Sequence, residues 1–586
     1  MKKSYLLSLC LVLILALSAC SSKEPVSDTP SGTTESPSTS SVVQGSISPE
    51  DMFSEKDLQA DTEDGTAVYL SFGENGISST SDSVMISGTN AVLTEEATYI
   101  LTGTLENGSI TVDAPDSAKL TLVLSGANIS CSDFAPIYVK NADKVFITLA
   151  KATENSLTAG ESFALRDENK VDAAIFSKAD LTLKGEGSLA VSSPGGHGVT
   201  CKDDLVISGG SYTITAAAHG LDANDSIRIA AGELDISCGK DALHAENSDD
   251  AELGFIYISG VSLTAVTEGD GISAGSWLHI ENGSFSLNCG GGYENGEAHT
   301  ESFGGPGGMG RPGGHGGFAP GSLTGTQTEE DAVSTKALKA AGNVTLAGGI
   351  YSLNSADDGV HSNSHIDLSG GVFDILTGDD GFHADGTLSI SGGEITVRQS
   401  YEGLEALHLL FSGGKARLVC SDDGLNAAGG ADQSGFRGAP GFSASDGSIV
   451  ISGGELDITA SGDGIDANGT LEISGGYTTV CGPTQGDTAT LDFDVSATVS
   501  GGTFIGTGAS GMAQSFTHTS QGVIAVSVGN QAQNTPITLS DKNGNLLISH
   551  SPELSFGVVI LSSPDIVIGE TYLITVGSAS GEFEAY

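Results

Sequence analysis

The sequence has few basic residues, a single tryptophan and, beyond its first twenty residues, no long apolar run. It carries 23 Lys and Arg against 74 Asp and Glu, a formal net charge of −51. This charge argues against nucleic acid and anionic lipid headgroups as direct partners, because both would be repelled. It favours cations, basic surfaces, or acidic ligands that metal ions bridge. Because no later stretch approaches the length of a membrane span, no spanning helix is expected.

Several catalytic signatures are also missing. The chain has no Gly-x-Ser-x-Gly elbow with triad partners, no phosphate loop and no dinucleotide fingerprint. Six cysteines follow Cys20, without CxxC or Cys/His zinc spacing. Cys238 and Cys420 each lie three residues before an acid of the repeat described below. We therefore expect small buried core cysteines rather than a disulfide framework.

Glycine and a repeated acidic motif are abundant. The 83 glycines lack the every-third spacing of collagen. An acid followed by glycine recurs at a near-constant 22-residue step, at Asp358, Asp380, Glu402, Asp423 and, after an insertion, Asp463. A fixed period of this size indicates a solenoid, in which each repeat position becomes a column in space.

The repeat unit predicts an all-β fold. The alternation of apolar with polar residues in short runs favours strands, and a 22-residue unit has room for three of them. We expect a parallel β-helix with coils of about 22 residues over 84–486, an N-terminal segment at 51–83 and a small C-terminal β module at 487–586. Gly/Pro-rich insertions at 290–330 and 428–447 are either loops of a binding face or tolerated disorder.

The N-terminus resembles a processing signal. Lys2 and Lys3 precede an apolar run, and small residues come directly before Cys20. This pattern predicts a lipoprotein signal peptide at 1–19, with Cys20 as the lipid-modified residue; an ordinary signal peptide is the alternative. A Ser/Thr/Pro-rich linker follows at 20–50. We expect a protein that is lipid-anchored at the outer face of the cell membrane.

The motif predicts a column of carboxylates. Residues stacked about 4.8 Å apart would repel, by roughly 0.9 kcal/mol per pair in water and roughly 3.5 kcal/mol at an effective dielectric of 20. Protonation with a raised pKa would relieve the repulsion, and so would Ca²⁺, which prefers oxygen ligands. A solvated edge that turn hydrogen bonds satisfy is the alternative. The expected calcium ligands are Asp357, Asp358, Asp379, Asp380, Asp385, Glu402, Asp422, Asp423, Asp463 and Asp466.

Two lysines interrupt the acidic column. Lys336 and Lys339 occupy the positions directly before Asp358 and His361 in the repeat. They either compensate the charge of neighbouring acids or, in a sharper hypothesis, supply a catalytic base beside a metal site. We interpret the histidines of the column as structural members of the stack rather than as a catalytic set. Aromatic side chains that could stack on sugar rings are few, with Trp277 and Tyr401 among the candidates.

Several phrases of the sequence together carry a family resemblance. They are Ala142–Leu149, Thr153–Thr158, Ala173–Lys178, His197–Leu205, the Asp-Asp-Gly-x-His-Ala-Asp-Gly unit at 379–386, and Ser-Gly-Met-Ala-Gln at 510–514. These phrases resemble those of a bacterial carbohydrate-binding β-helix family whose members are secreted or lipid-anchored proteins of Gram-positive bacteria. The resemblance covers most of residues 80–586, although Lys336, Lys339 and Glu402 depart from the pattern of paired Asp residues.

The resemblance implies a right-handed parallel β-helix similar to that of one family of pectate lyases. It also implies bound calcium, at the corners formed by Asp357/Asp358, Asp379/Asp380 and Asp385. Binding to polygalacturonate and to cellulose-type polymers is the implied activity. The leading hypothesis is therefore a non-catalytic surface lipoprotein that binds polysaccharide with calcium. The alternatives are a calcium-dependent polysaccharide lyase and a calcium-stabilised structural or adhesive surface protein.

Overall fold

The structure, a computed structural model, describes residues 49–59, 66–297, 333–428, 446–486 and 488–586. Residues 49–586 belong to one compact unit. The predicted signal peptide, Cys20, the predicted linker up to residue 48 and nearly all of both Gly-rich insertions lie outside the described residues. The described residues are nearly all β, with 57% in strands and 2% in helices. None of the described helices is long and apolar enough to cross a membrane.

Most strands belong to three parallel ladders, in which each strand pairs with the equivalent strand of the next pass of the chain. One such pass is called a coil below. The first ladder, which carries the acidic motif, consists of Asn90–Leu93, Ser109–Asp113, Ile137–Asn141, Ala173–Ser177, His197–Cys201, Leu221–Ala223, Leu243–Ala245, Ile272–Ala274, Leu338–Ala340, Val360–Ser362, Phe382–Ile390, Leu404–Phe411, Leu425–Asn426, Ile465–Ala467 and Asp492–Phe493.

The second and third ladders follow the first along each coil, and several long strands run through two ladders. The second ladder consists of Val68–Gly73, Thr98–Leu105, Lys119–Cys131, Lys144–Leu149, Asp180–Gly185, Asp204–Ala216, Ser226–Cys238, Phe255–Ile258, Leu278–Ile280, Val344–Leu346, Ile366–Leu368, Phe382–Ile390, Leu404–Phe411, Ser448–Ile451, Thr470–Cys481, Ser496–Gly508 and His518–Thr519. The third ladder adds Glu154–Ala159, Ser188–Ser193, Ser262–Thr267, Ser284–Cys289, Ile350–Ser355, Val372–Thr377, Glu394–Ser400, Lys415–Cys420 and Glu455–Ala460.

The remaining elements lie outside the three ladders. The short helices Pro49–Met52 and Glu55–Leu58 contact the second ladder, where Thr182 donates to Asp57 and Arg228 donates to the carbonyl of Met52. The antiparallel strands Gly76–Ser79 and Met85–Ser87 lie beside the first strands of the ladders. A 3₁₀ turn at Tyr293–Asn295 lies in the described first residues of the insertion at 290–330. The C-terminal strands, all paired antiparallel, are Val523–Gln531 and Phe556–Ser562 on the large sheet, and Ile537–Ser540, Leu546–His550, Thr571–Val576 and Ala579–Glu584 in a separate four-stranded sheet.

The ladders extend further along the chain than the repeat suggested. Parallel pairing begins at Val68–Gly73, inside the segment expected at 51–83. Strand Ser496–Gly508 still pairs in parallel with Thr470–Cys481, beyond residue 487, where we expected the C-terminal module to begin. Parallel pairing needs backbone complementarity and inward apolar residues but no Asp-Gly motif, so it continues after the motif has disappeared.

The coil length sets the register of the core. His361 pairs with His383, 22 residues later. Side chains alternate between the interior and the surface along each strand, and inward residues of successive coils stack on each other. The rings of Tyr351 and Phe373 stack with centroids 4.3 Å apart at 2°, and Phe285 stacks on Tyr351 at 4.8 Å. One apolar core cluster runs from Leu70 to Ile560, and the six described cysteines are buried and free, as expected.

Two glycine positions show why the motif needs this residue. A Cβ at Gly381 would lie 2.5 Å from the carbonyl oxygen of Gly403 in the next coil, closer than side chains tolerate. Gly393 adopts a φ of +91° at the bend before the third ladder, a conformation that favours glycine. Close approach of backbones and a left-handed bend therefore account for the repeated Asp-Gly and Gly-Gly pairs.

The aromatic stack of the third ladder provides a test of the core. Replacing Phe373 by Ala should cost about 3–5 kcal/mol of stability, because a large buried ring is lost from the stack. The neighbouring Val372 is 47% exposed, so Val372→Ala should change stability by no more than about 0.5 kcal/mol. Thermal and urea unfolding of both variants measure the difference. Equal losses in the two variants would rule out the inward stack.

Candidate functional site

Repeat positions align into two adjacent columns on the first ladder. The column of residues three positions after the motif acid pairs directly in parallel register. It contains Lys339, His361, His383, Glu405, Asn426 and Asp466 in successive coils. The second column, which is called the acidic column below, is formed by the motif residues Lys336, Asp358, Asp380, Glu402, Asp423 and Asp463 and by the acids directly before them, Asp357, Asp379 and Asp422. The predicted stacking of the motif is confirmed.

Most carboxylates of the acidic column are buried rather than solvated. Asp358, Asp380, Glu402 and Asp463 are each less than 5% exposed. Burial of an ionised group is costly unless hydrogen bonds or opposite charges compensate it. The interpretation of the column as a solvated edge is therefore wrong for these residues, because they lie under the corner that connects the third ladder to the first.

Several motif acids accept a hydrogen bond from the backbone of the next coil. The backbone N–H of Asp380 donates to Asp358 Oδ1 at 3.1 Å, and that of Glu402 donates to Asp380 Oδ1 at 3.3 Å. The same contact recurs between Asp270 Oδ1 and the N–H of Lys336, at 2.8 Å. Side-chain oxygens thus continue the hydrogen bonding of the ladder where the backbone turns. The motif acid was selected from the sequence as a calcium ligand, and this second role was missed.

The remaining oxygens of Asp358 and Asp380 meet histidines. His361 Nδ1 lies 2.7 Å from Asp358 Oδ2, and His383 Nδ1 lies 3.0 Å from Asp380 Oδ2. His383 Nδ1 also lies 2.8 Å from Glu405 Oε2. The two imidazole rings stack with centroids 4.9 Å apart. The centre of the column is therefore a buried network of acids and imidazoles.

The protonation of this network follows from its charges. Burial opposes charge on His383, but hydrogen bonds to Asp380 and Glu405 raise its pKa to about 12. The pKa of Asp380 is raised well above its usual value, by burial and by the nearby carboxylates of Asp379 and Asp358. His383 is therefore a fixed cation in this network.

Lys336 is bound to two acids of the next coil. Its Nζ lies 2.5 Å from Asp357 Oδ1 and 2.8 Å from Asp358 Oδ2. Burial opposes charge on Lys336, but these carboxylates raise its pKa above the usual range. A lysine held as an ammonium ion is a poor general base. The geometry thus favours charge compensation over catalysis. Lys339 likewise contacts an acid, with its Nζ 3.3 Å from Asp270 Oδ2.

The C-terminal part of the column has less positive charge. Both carboxylate oxygens of Glu402 lie 2.9 Å from Asn426 Nδ2. The pKa values of Glu402 and Asp423 are raised well above normal, mainly by burial and then by repulsion from neighbouring acids. Asp463 N–H donates to Asp423 Oδ1 at 2.5 Å. Asn426 was not singled out as functional from the sequence, although its column position was known.

The predicted calcium ligands divide into different groups. Asp357, Asp358 and Asp379 bring carboxylate oxygens within 4.8 Å of one another, which is an all-oxygen group of the kind that calcium prefers. Asp380 belongs instead to a mixed group with His383 and Glu405. Asp385 lies on the outer side of His383, with its Oδ1 3.4 Å from Nε2. Asp422 and Asp466 are half-buried at the C-terminal end of the motif.

The aromatic residues offer little flat surface. Tyr257, Tyr351 and Phe373, which could have formed a sugar-stacking face, are at most 1% exposed. Trp277 is half-buried and stacks on Phe255 with ring centroids 4.2 Å apart at 6°. Tyr401 is half-buried beside Glu402. Of the aromatic residues that the sequence suggested for stacking on sugars, Trp277 and Tyr401 therefore remain partly accessible, whereas Tyr257, Tyr351 and Phe373 do not.

A family model and a relative in sequence agree with the resemblance of the motifs. A family model described as "Carbohydrate-binding domain-containing protein" matches residues 87–381 and 381–553. A protein of the same description from Acetivibrio thermocellus is 36% identical over 291 residues, which are 49% of this chain and 92% of that protein. A solved structure, a polysaccharide lyase-like protein from C. thermocellum in a gadolinium derivative, shares 32% identity over 38% of this chain and 92% of its own, with a TM-score of 0.37.

The raised pKa of Glu402 predicts a pH-dependent effect of removing its charge. The pKa of Glu402 is 4.5 in the unfolded protein and higher in the folded protein. Its protonated carboxyl group therefore contributes its full stabilisation below pH 4.5, and this contribution is lost as the pH rises through the folded pKa. Glu402→Gln should therefore raise the melting temperature at pH 8 by roughly 1–2 °C in the presence of a chelator, and should have a smaller effect at pH 5.

The exposed Asp367, on the second ladder, gives the matched control. Asp367→Asn should leave the melting temperature nearly unchanged at both pH values. A Glu402→Gln variant that is destabilised more at pH 8 than at pH 5 would show that the ionised carboxylate is favourable, contrary to its environment.

Proposed function

We propose, since this chain belongs to the family of carbohydrate-binding domain-containing proteins, that it is a non-catalytic polysaccharide-binding protein whose acidic column binds calcium. The observation that carries the proposal is the family match over residues 87–553, the region that contains the acidic column. The polymers that fit are polygalacturonate, whose carboxylates would need a bridging cation at a protein of net charge −51, and cellulose-type chains.

The group formed by Asp357, Asp358 and Asp379 is the best candidate for calcium. Its donors are carboxylate oxygens of two successive coils, so an ion would bind the coils to each other as well as to a ligand. Lys336 now holds Asp357 and Asp358. An ion that shares these oxygens would displace the ammonium group or shift it towards one of them. Coordination positions left by the protein could accept the carboxylate of an acidic sugar.

The fold and the location of the protein are part of the same proposal. Three parallel ladders that advance by one coil every 22 residues are consistent with a right-handed parallel β-helix. The small-residue sequence before Cys20 supports removal of residues 1–19 and lipid attachment at Cys20. The Ser/Thr/Pro-rich segment 20–50 would then hold the binding protein away from the outer face of the membrane.

A calcium-dependent lyase is the alternative, and Lys336 argues against it. Proton abstraction next to a sugar carboxylate needs an uncharged base, whereas Asp357 and Asp358 hold Lys336 as an ammonium ion. The absorbance of an unsaturated product on polygalacturonate distinguishes the two activities. We expect no such product in the presence of calcium, and its formation would establish the lyase.

Calcium titration by calorimetry tests the proposed ion directly. On residues 21–586 we expect Asp379→Asn to weaken calcium binding by about tenfold or more, which is about 1.4 kcal/mol. Asp367 is an exposed acid on another ladder, so the Asp367→Asn variant should bind calcium with the affinity of the unchanged protein. Equal affinities in the two variants would remove Asp379 from the site.

A pull-down on insoluble polygalacturonate gel and cellulose gives the second readout. Retention on polygalacturonate should fall when a chelator is added and in Asp379→Asn, because calcium would bridge two sets of carboxylates. If neither polymer retains the protein with or without calcium, the binding function is wrong, and a structural or adhesive role with a protein partner becomes the better explanation.

A further inference from the structure

We propose that His197, His219 and Asp222 form a second metal site, which takes a divalent transition-metal ion of the zinc type. The three residues lie in two successive coils of the first ladder, on the N-terminal side of the first insertion. They are separate in sequence and in ladder position from Asp357, Asp358 and Asp379, to which we assign calcium.

The first observation is the geometry of the donors. One ligand atom from each of His197, His219 and Asp222 lies within 4.8 Å of the other two. The two imidazole rings stack with centroids 5.2 Å apart at 21°. Zinc with bonds of about 2.0–2.1 Å needs its ligand atoms somewhat closer together. Rotation of the side chains about χ1 and χ2 can supply this closure without a change in the ladder.

The second observation is a pair of buried polar atoms that lack hydrogen-bond partners. His197 Nδ1 and Thr200 Oγ1 are both buried and have no partner among the described residues. Thr200 is 0% exposed and pairs directly with Asp222 in the ladder. Buried polar atoms normally find a partner. A metal ion would give one to the imidazole nitrogen, and a water molecule on that ion would give one to the hydroxyl.

The third observation is the set of residues that hold the donors. His219 Nδ1 accepts the backbone N–H of Asp241 at 3.2 Å and lies 3.4 Å from Asp241 Oδ2. Metal binding through Nε2 requires the other tautomer, in which Nδ1–H donates to Asp241 Oδ2 and the backbone N–H of Asp241 gives up this acceptor. Asp222 Oδ1 lies 2.9 Å from His244 Nδ1, and Asp222 Oδ2 lies 3.7 Å from Lys202 Nζ.

The chemistry of the donors selects the class of ion. Two imidazole nitrogens and one carboxylate suit zinc and its first-row neighbours, whereas calcium prefers an all-oxygen set. Three protein ligands leave a position for water or for a hydroxyl group of a bound sugar. The stacked rings of His219 and His244, with centroids 4.3 Å apart, continue the imidazole column into the next coil.

Titration of residues 21–586 with Zn²⁺, after the protein has been saturated with calcium, tests the site. We expect one tightly bound equivalent of zinc that calcium does not displace. His197→Gln and Asp222→Asn should each weaken zinc binding at least about tenfold. His408→Gln is the matched control, because His408 lies on the second ladder and contacts Ser448 instead. Circular dichroism checks that each variant keeps its strands.

The visible spectrum of the unchanged protein with Co²⁺ in place of zinc provides a readout that needs no variant. A tetrahedral site with imidazole ligands gives intense d–d bands, whereas a six-coordinate oxygen site gives weak ones. Weak bands would overturn the proposal. So would zinc affinity that is equal in His197→Gln and His408→Gln, or that is lost in His383→Gln, because the ion would then bind at the calcium-side histidines.

Discussion

The hydrogen bond from a backbone N–H to the motif carboxylate of the preceding coil is the interaction on which the site depends. It joins Asp358 to Asp380 and Asp380 to Glu402, and so it fixes the register of successive coils at the corner before the first ladder. The glycine that follows each acid lets the backbones approach closely enough for this bond. Asp-Gly is therefore one structural unit, and its repetition produces a straight column of buried acids.

Such a column creates an electrostatic problem that is solved unevenly along the chain. Lys336 supplies a cation opposite Asp357 and Asp358, and His383 supplies one between Asp380 and Glu405. Further along, the described residues offer Glu402 and Asp423 hydrogen bonds from neutral donors, Asn426 and the backbone N–H of Asp463, and neighbouring acids still repel both carboxylates. A cation bound to the half-buried acids Asp357 and Asp379 would lower the repulsion between the carboxylates of the column. The stability of the fold is therefore linked to the proposed recognition of acidic polymers.

The sequence predicted the features that follow from periodicity. The β class, the stacking of the motif in successive coils and the buried cysteines are confirmed, because a repeat of 22 residues specifies register and the side that each residue faces. Burial of the acids and the pairing of Glu402 with Asn426 could not be predicted, since they depend on how one corner covers the next.

The same limit applies to the parts of the chain without a clear motif. The ladders run to Gly508 because pairing is a property of the backbone, and the sequence pattern ends earlier. Tyr351 and Phe373 lie in the core. The sequence of one alternating strand does not indicate which of its two faces is inside, because this depends on the strands that pair with it. The cluster of His197, His219 and Asp222 joins positions of two successive coils, and it appears only in three dimensions, as does the lack of a partner for His197 Nδ1 among the described residues.

Crystals grown with calcium and an oligogalacturonate provide the most direct measurement of the central claim, that calcium on the acidic column binds acidic sugar. We expect electron density for an ion among the carboxylates of Asp357, Asp358 and Asp379, with Lys336 displaced from at least one of its partners and a sugar carboxylate completing the coordination. A structure in which Lys336 keeps both contacts, no ion binds there and the sugar lies elsewhere or nowhere would contradict the claim.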